Sequence, residues 1–167
     1  MIKLWRSAVV SALIVTSIAA GAVGHPLIAD PAPDFALHGF TGGNVRLSEH
    51  RGEVVVLAFW STGCTPCKSQ LRALDRSFAT YRSAGLQMYG ISVDDDQAQA
   101  RDFVAAHRLG FEMLADPHKS VSRLYAVDNL PMAIVIDRSG VVRHVYRDFG
   151  TQSESLYLRE LRSLLNE

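Results

Sequence analysis

The fold is decided by Phe59-Trp60-Ser61-Thr62-Gly63-Cys64-Thr65-Pro66-Cys67-Lys68, a stretch that holds both cysteines of the chain. Before it runs Val54-Val55-Val56-Leu57-Ala58-Phe59, an unbroken apolar segment typical of a strand buried on both faces of a sheet. After it, the apolar residues change to helical spacing. The cysteines therefore lie where a buried strand ends and an amphipathic helix begins. The apolar residues of that helix are Leu71, Leu74, Phe78 and Tyr81.

The position of the cysteine pair favours redox chemistry. The first turn of a helix has unpaired backbone N–H groups and the positive end of the helix dipole, and both stabilise a thiolate. Cys64 falls at the expected helix start, so we expect it to have the lower pKa of the two thiols. Cys67 follows three residues later, where its sulfur can resolve a mixed disulfide formed by Cys64. Pro66 is tolerated there because its missing N–H would have no helical partner.

A structural disulfide and half of a zinc site are the other uses open to a cysteine pair at this spacing. A bridge that closes about four residues contributes roughly 2 kcal/mol, against about 3 for a loop of about fifteen, so this pair is a poor staple. A zinc site needs about four ligands, and the chain has no second cysteine pair. We therefore expect no metal site. The six histidines are scattered, at His25, His38, His50, His107, His118 and His144.

The N-terminal segment has the form of an export signal. Lys3 and Arg6 precede an apolar run, and small residues follow up to Gly24. Residues 1–24 are therefore predicted to be a signal peptide or an N-terminal membrane anchor, which implies a periplasmic or other extracytoplasmic location. Residues 25–31 are rich in proline and small residues and are predicted to be a linker. Residues 32–167 have the length of one compact domain.

The charge of the chain excludes one class of partner. It carries 17 basic and 17 acidic residues, so its formal charge is zero, and it contains no basic run. We therefore expect no nucleic-acid partner.

The pattern before and after the cysteine helix predicts an α/β fold. Asp34–Leu37 and Asn44–Leu47 flank Gly42-Gly43 and predict a hairpin. Leu86–Val93 follows Gly85 and predicts a strand that completes a parallel βαβ unit.

Two helices, two strands and a closing helix are predicted beyond that unit. The helices cover Gln97–His107 and residues 118–125. The strands Met132–Ile136 and Val141–Tyr146 are joined by an antiparallel turn. The closing helix is predicted to have an apolar face formed by Leu156, Leu158, Leu161, Leu164 and Leu165.

A triple aspartate, Asp94-Asp95-Asp96, precedes the first of these helices. Asp96 and Gln99 have the spacing of a capping box, in which each residue's side chain bonds to a backbone N–H of the other. We therefore interpret the acids as a helix start and not as a metal site.

Two motifs together carry a family resemblance. Trp60–Lys68 at a strand-to-helix corner and Asn129-Leu130-Pro131-Met132 before a later strand are similar to a thioredoxin fold. With the opening Ala32-Pro33-Asp34-Phe35-Ala36-Leu37, residues 32–166 resemble the TlpA-like and ResA-like thiol-disulfide oxidoreductases, which are related to the AhpC/TSA redoxins. The resemblance implies a thioredoxin-like fold, with a central mixed sheet flanked by helices and an N-terminal β-hairpin extension.

The resemblance also implies roles for individual residues. Cys64 attacks and Cys67 resolves, the two forming a disulfide, while a cis peptide bond places Pro131 opposite them. The partners would be periplasmic proteins that carry disulfides or thiols, cytochrome c maturation being one setting, with a membrane-embedded electron donor if the protein is a reductant. No cofactor is implied. The residues expected to contact the substrate are Trp60, Gly63, Thr65, Pro66, Leu130 and Pro131.

Three positions depart from the family pattern. Ala58 stands where thioredoxins often have a buried acid, and Gln70 stands where ResA-like proteins often have a glutamate. Neither side chain can accept a proton from Cys67, so the resolving step must use water, a remote acid or Cys64. Gly63 replaces the usual aromatic residue and opens the surface beside Cys64.

Two other functions remain open at this stage. A peroxiredoxin-like peroxidase shares the fold and has Ser61 in a suitable place, but Leu57 occupies the position of the expected proline. A metallochaperone or another binding module would use Cys64 and Cys67 to hold a metal without turnover.

Overall fold

The computed structural model of the protein describes residues 25–167, so the predicted signal or anchor segment lies outside the described residues. None of the helices in this part of the chain is both long enough and apolar enough to cross a membrane. The strands are β1 (Ala36–Gly39), β2 (Asn44–Arg46), β3 (Val54–Trp60), β4 (Leu86–Ser92), β5 (Glu112–Ala115), β6 (Met132–Ile136) and β7 (Val142–Tyr146). The helices are α1 (Thr65–Tyr81), α2 (Gln97–His107), α3 (Ser120–Leu124) and α4 (Thr151–Leu165).

The strands form one mixed sheet in the order β2-β1-β5-β4-β3-β6-β7. All seven residues of β3 are buried, as the apolar run predicted. β3 pairs with β4 in parallel, from Val54 opposite Leu86 to Trp60 opposite Ser92, and with β6 in antiparallel. The predicted βαβ unit, the hairpin and the mixed sheet flanked by helices are thus confirmed.

Alternate residues of β3 face two separate cores. Val54, Val56, Ala58 and Trp60 pack with residues of α1, α2 and α4 on one side of the sheet. Val55, Leu57 and Phe59 pack on the other side with α3 and with the chain that precedes β3. The cysteine-bearing helix α1 is therefore fixed against one face of the most buried strand.

β5 is the one strand that the sequence pattern did not predict. It pairs with β4 in parallel and with β1 in antiparallel, and so joins the N-terminal hairpin to the central sheet. Its four residues are too few to show a period, and Glu112 interrupts the apolar character.

Residues 25–31, predicted to be a linker, pack on the domain. The Ala29 N–H donates to the Val142 carbonyl at 2.8 Å, and the Val142 N–H donates to the Asp30 carbonyl at 3.0 Å. His25 is buried, and its Nε2 lies 3.1 Å from the Tyr125 carbonyl oxygen. The segment covers part of the edge of β7, which would otherwise leave backbone groups unpaired.

The apolar face of α4 is displaced from the predicted one. Leu161 and Leu164 are buried as expected, but the third buried residue is Tyr157, and Leu156 is 38% exposed. Tyr157, Leu161 and Leu164 have the i, i+4, i+7 spacing of one helical stripe. The leucine-only face was therefore wrong at Leu156.

The capping box before α2 forms only in part. The Asp96 carboxylate accepts the N–H groups of Ala98 and Gln99 at 2.9 and 3.2 Å, so the predicted helix start is confirmed. The Gln99 side chain does not return to Asp96, and its Oε1 lies instead 2.7 Å from the Thr62 hydroxyl oxygen.

Gln70 is a polar side chain inside the core. It lies on α1 with 0% exposure, and neither its Oε1 nor its Nε2 has a hydrogen-bond partner among the described residues. A buried polar group without a partner keeps the cost of its lost hydration.

We predict that Gln70→Met stabilises the protein, because the unbranched methionine fills the same space without polar atoms. The expected gain in the free energy of unfolding is about 1–2 kcal/mol, measured by urea denaturation of the oxidised protein. The matched control is Gln152→Met at an exposed helical position, with an expected change below about 0.5 kcal/mol. A loss of stability confined to Gln70→Met would contradict the interpretation.

Candidate functional site

The cysteine turn joins the end of β3 to the start of α1. Cys64 is the N-cap of α1, and its sulfur accepts the Cys67 N–H at 3.2 Å. The Cys64 N–H in turn donates to the Ser61 carbonyl at 3.2 Å, which closes the turn. Pro66 occupies the first turn of the helix, as expected. The structure thus places Cys64 at the helix N-terminus, where a thiolate is stabilised.

The two sulfurs differ in their access to solvent. They are joined as a disulfide, and Cys67 is the third residue after Cys64. Cys64 is half-buried, while Cys67 is 0% exposed and packs in the core. A partner protein can therefore approach only the Cys64 sulfur. The Cys67 sulfur reaches Cys64 from the core side of the turn.

The buried residues that form a cluster with Cys67 are apolar. Ala58 and Leu71 belong to the same buried cluster as Cys67. Ala58 and Gln70 are the two positions where relatives often have an acid. Neither of these side chains is a base that could accept the Cys67 proton.

The position of Trp60 differs from the one expected from the sequence. It was expected to contact the substrate, but it is 0% exposed and its ring centroid lies 4.5 Å from that of Phe103. As the last residue of β3 it points into the core, as Val54, Val56 and Ala58 do, because side chains alternate along a strand. Gly63, Thr65 and Pro66 are exposed around Cys64.

A groove of about 390 Å³ runs beside the cysteine turn. It brings together Pro66, Leu130 and Pro131, three of the residues expected to contact the substrate. The Leu130–Pro131 peptide bond is cis, as the resemblance implied. Gly63 and Thr65 do not line the groove. The other lining residues are Ser69, Asn129, Arg147, Asp148, Phe149 and Gly150.

A smaller cavity of about 150 Å³ is also lined by Leu130, and its walls include Lys119 and Asp128. Both of these charges are paired, Lys119 with Asp95 at 2.9 Å and Asp128 with Arg147 at 3.3 Å. The hydrogen bond from Arg147 holds the pKa of the exposed Asp128 carboxyl below its usual value. Asn129 and Leu130 therefore line both cavities, and the charged residues of the smaller one are paired.

Asp94 is a site residue that the sequence analysis missed. Its Oδ1 accepts the Thr62 N–H at 3.0 Å and the Thr62 hydroxyl at 2.8 Å. Its Oδ2 accepts the Ser92 hydroxyl at 2.9 Å. The signal was present, because Asp94 follows β4 and the carboxyl ends of the parallel strands β3 and β4 meet at one edge of the sheet.

Comparison with known proteins agrees with this geometry. ResA of Geobacillus kaustophilus, described as a thiol-disulfide oxidoreductase, is 29% identical over 137 residues, which cover 82% of this chain and 78% of ResA. ResA of Bacillus subtilis is 29% identical over 125 residues, which cover 75% and 69% of the two chains.

Solved structures agree as well. A protein of Chlorobium tepidum described as the thiol:disulfide interchange protein DsbE superposes with a TM-score of 0.79 and 33% identity, covering 83% of this chain and 97% of that one. The family model of AhpC/TSA proteins matches residues 28–145. The chain belongs to the AhpC/TSA family and, within it, to the ResA-like thiol-disulfide oxidoreductases.

Proposed function

We propose that this oxidoreductase reduces disulfide bonds in partner proteins outside the cytoplasm, with Cys64 as the attacking and Cys67 as the resolving cysteine. The observation that carries the proposal is the unequal access of the two sulfurs at a helix N-terminus beside an open groove. A structural staple needs no open groove, and a zinc site needs about four ligands. Among the described residues, no three side chains of histidine, cysteine, aspartate or glutamate group in a way that could hold a metal.

The reaction transfers two electrons and two protons. The Cys64 thiolate attacks one sulfur of the partner disulfide, which forms a mixed disulfide and releases the second partner sulfur as a thiolate. The Cys67 sulfur then attacks the Cys64 sulfur. The first partner sulfur leaves as a thiolate and takes a proton from water, so the products are a partner dithiol and the Cys64–Cys67 disulfide. A dithiol donor must reduce this disulfide before the next cycle.

The proton of the Cys67 thiol goes to the partner in this scheme, which adds a fourth acceptor to the water, remote acid and Cys64 considered from the sequence. Ala58 and Gln70 provide no acceptor beneath Cys67. The partner thiolate released in the first step is a base held close to the site, and it takes the proton as Cys67 attacks. The resolving step then depends on the partner more than in relatives with an acid at these positions.

The groove holds an extended segment of the partner. Pro66 and Ser69 form the wall on the α1 side, and the Leu130 loop and Phe149 form the others. A segment lying there passes Pro66, which stands between the two cysteines in the sequence. An apolar groove with a few polar groups suits a disulfide in an unfolded or flexible region.

The setting of the reaction follows from the export-like N-terminus. A reductant in an oxidising compartment needs electrons from a membrane-embedded dithiol donor. The resemblance to ResA-like proteins adds the haem-binding cysteines of an apocytochrome as a candidate partner. An N-terminal tether would keep the domain near such a donor.

A peroxidase function has less support. Leu57 occupies the position where peroxidases have a proline and is 0% exposed within β3. Cys64 also has its disulfide partner only three residues away, which favours exchange with protein disulfides.

We predict opposite phenotypes for the two cysteines. Cys64→Ser should lower the rate of insulin disulfide reduction, with dithiothreitol as electron source, by at least about a hundredfold because the attacking thiolate is lost. Cys67→Ser should accumulate a mixed disulfide with the partner, visible on non-reducing gels and by mass spectrometry. Ser61→Ala should keep normal turnover. The proposal fails if Cys64→Ser retains most of the activity, or if Cys64→Ser, and not Cys67→Ser, accumulates the mixed disulfide.

We predict that Ser69→Trp blocks the groove without altering the cysteines. Because the new side chain fills space that a protein segment needs, kcat/KM for insulin should fall by about tenfold or more. The rate with oxidised glutathione, which needs little of the groove, should stay within about twofold. Arg72→Trp, at an exposed position of α1 outside the groove, is the matched control. Equal losses with both substrates would contradict a role for the groove in partner binding.

A further inference from the structure

Asp94 binds the turn that carries Cys64. Its carboxylate accepts both hydrogen-bond donors of Thr62, the backbone N–H and the hydroxyl, at 2.8–3.1 Å. The carboxylate is itself held by the hydroxyl of Ser92, which is 0% exposed at the end of β4. The backbone of β4 continues this link, because the Val93 N–H donates to the Trp60 carbonyl at 3.0 Å. Asp94 thus fixes Thr62 to the sheet.

The turn has few other contacts that could hold it. Gly63 is exposed, and a Cβ atom built on it would meet nothing within 4 Å. The Cys64 N–H donates to the Ser61 carbonyl, the Thr62 hydroxyl contacts Gln99, and the Cys64 sulfur is held by its disulfide to Cys67 and by the Cys67 N–H. The bonds between Thr62 and Asp94 therefore hold the part of the turn that leads from β3 to Cys64.

Asp94 also places a carboxylate beside the turn. Among the described residues, no lysine, arginine or histidine forms an ion pair with it. The neighbouring charges are otherwise occupied: Asp95 pairs with Lys119, Asp128 pairs with Arg147, and Asp96 caps α2.

Two further charged groups lie near the turn. Lys68, one helical turn after Cys64, is exposed, and its Nζ lies 6.0 Å from the Phe103 ring. Asp148, at the groove, accepts the Ser153 hydroxyl. An exposed ammonium group is strongly screened by water, whereas the Asp94 carboxylate is bonded directly to the turn.

We propose that Asp94 is a positioning residue for thiol-disulfide exchange, which holds the Cys64 turn in place and whose charge disfavours the Cys64 thiolate, so that the pair is a stronger reductant. The inference rests on the proposed function. A like charge disfavours a second anion nearby, and the Thr62 N–H, already bonded to Asp94, cannot stabilise the thiolate. Destabilising the reduced form lowers the reduction potential of the pair.

Charge-neutral replacement of Asp94 tests the inference. Asp94→Asn keeps an oxygen that accepts the Thr62 N–H but removes the charge. The equilibrium constant for reduction by glutathione should rise about tenfold, which corresponds to a potential about 30 mV higher. The pKa of the Cys64 thiol, followed by its ultraviolet thiolate absorbance, should fall. Asp95→Asn is the matched control, and Asp94→Glu is the conservative rescue; both should stay within about twofold of the wild-type equilibrium constant.

A purely structural role gives a different result. Asp94→Asn would then destabilise the oxidised and reduced proteins equally in urea and leave the equilibrium constant unchanged, which would overturn the proposal. If the asparagine variant does not fold, Asp94→Ser, whose hydroxyl can accept the same N–H, makes the same comparison. The titration uses glutathione or dithiothreitol and no partner protein, so the role of Asp94 is tested even if mixed-disulfide trapping disproves the function.

Discussion

The rest of the structure depends on one constraint: β3 is paired on both edges and buried on both faces. β4 and β6 hold its edges, and two separate cores hold its faces. A strand fixed in this way cannot shift without exposing apolar side chains or breaking backbone hydrogen bonds. Its end at Trp60 therefore gives a fixed origin for the turn that leads to Cys64. The helix that follows is anchored in the same core, through Cys67, Leu71 and Leu74.

Two opposing influences meet at Cys64. The N-terminus of α1 favours a negative charge on the sulfur, because its N–H groups and the helix dipole point toward it. The carboxylate of Asp94, bonded to Thr62, acts against that charge. In the proposed mechanism the helix activates Cys64, and the role of Asp94 is to limit how stable the thiolate becomes. A moderately stabilised thiolate suits a reductant, since a very stable one would make the pair an oxidant.

The sequence predicted most of the parts that position the site. The buried run before Cys64, the helical spacing after it and Gly85 were enough for β3, α1 and β4, since each has a strong period or a clear end signal. β5 was missed because four residues show no period. Trp60 was expected to contact the substrate because the motif gives order along the chain but not the side of the strand. Asp94 was grouped with the helix-capping acids because its bonds join residues 32 positions apart in sequence. Such long-range contacts follow from strand register and not from local spacing.

The reduction potential of the Cys64–Cys67 pair, measured in equilibrium with glutathione and dithiothreitol, tests the central claim most directly. A catalytic reductant is expected near the thioredoxin value of about −270 mV. A value near about −120 mV would mean that the protein forms disulfides in its partners. A pair that stays oxidised well below about −300 mV would behave as a structural disulfide, and the assignment of Cys64 and Cys67 as a catalytic pair would be wrong.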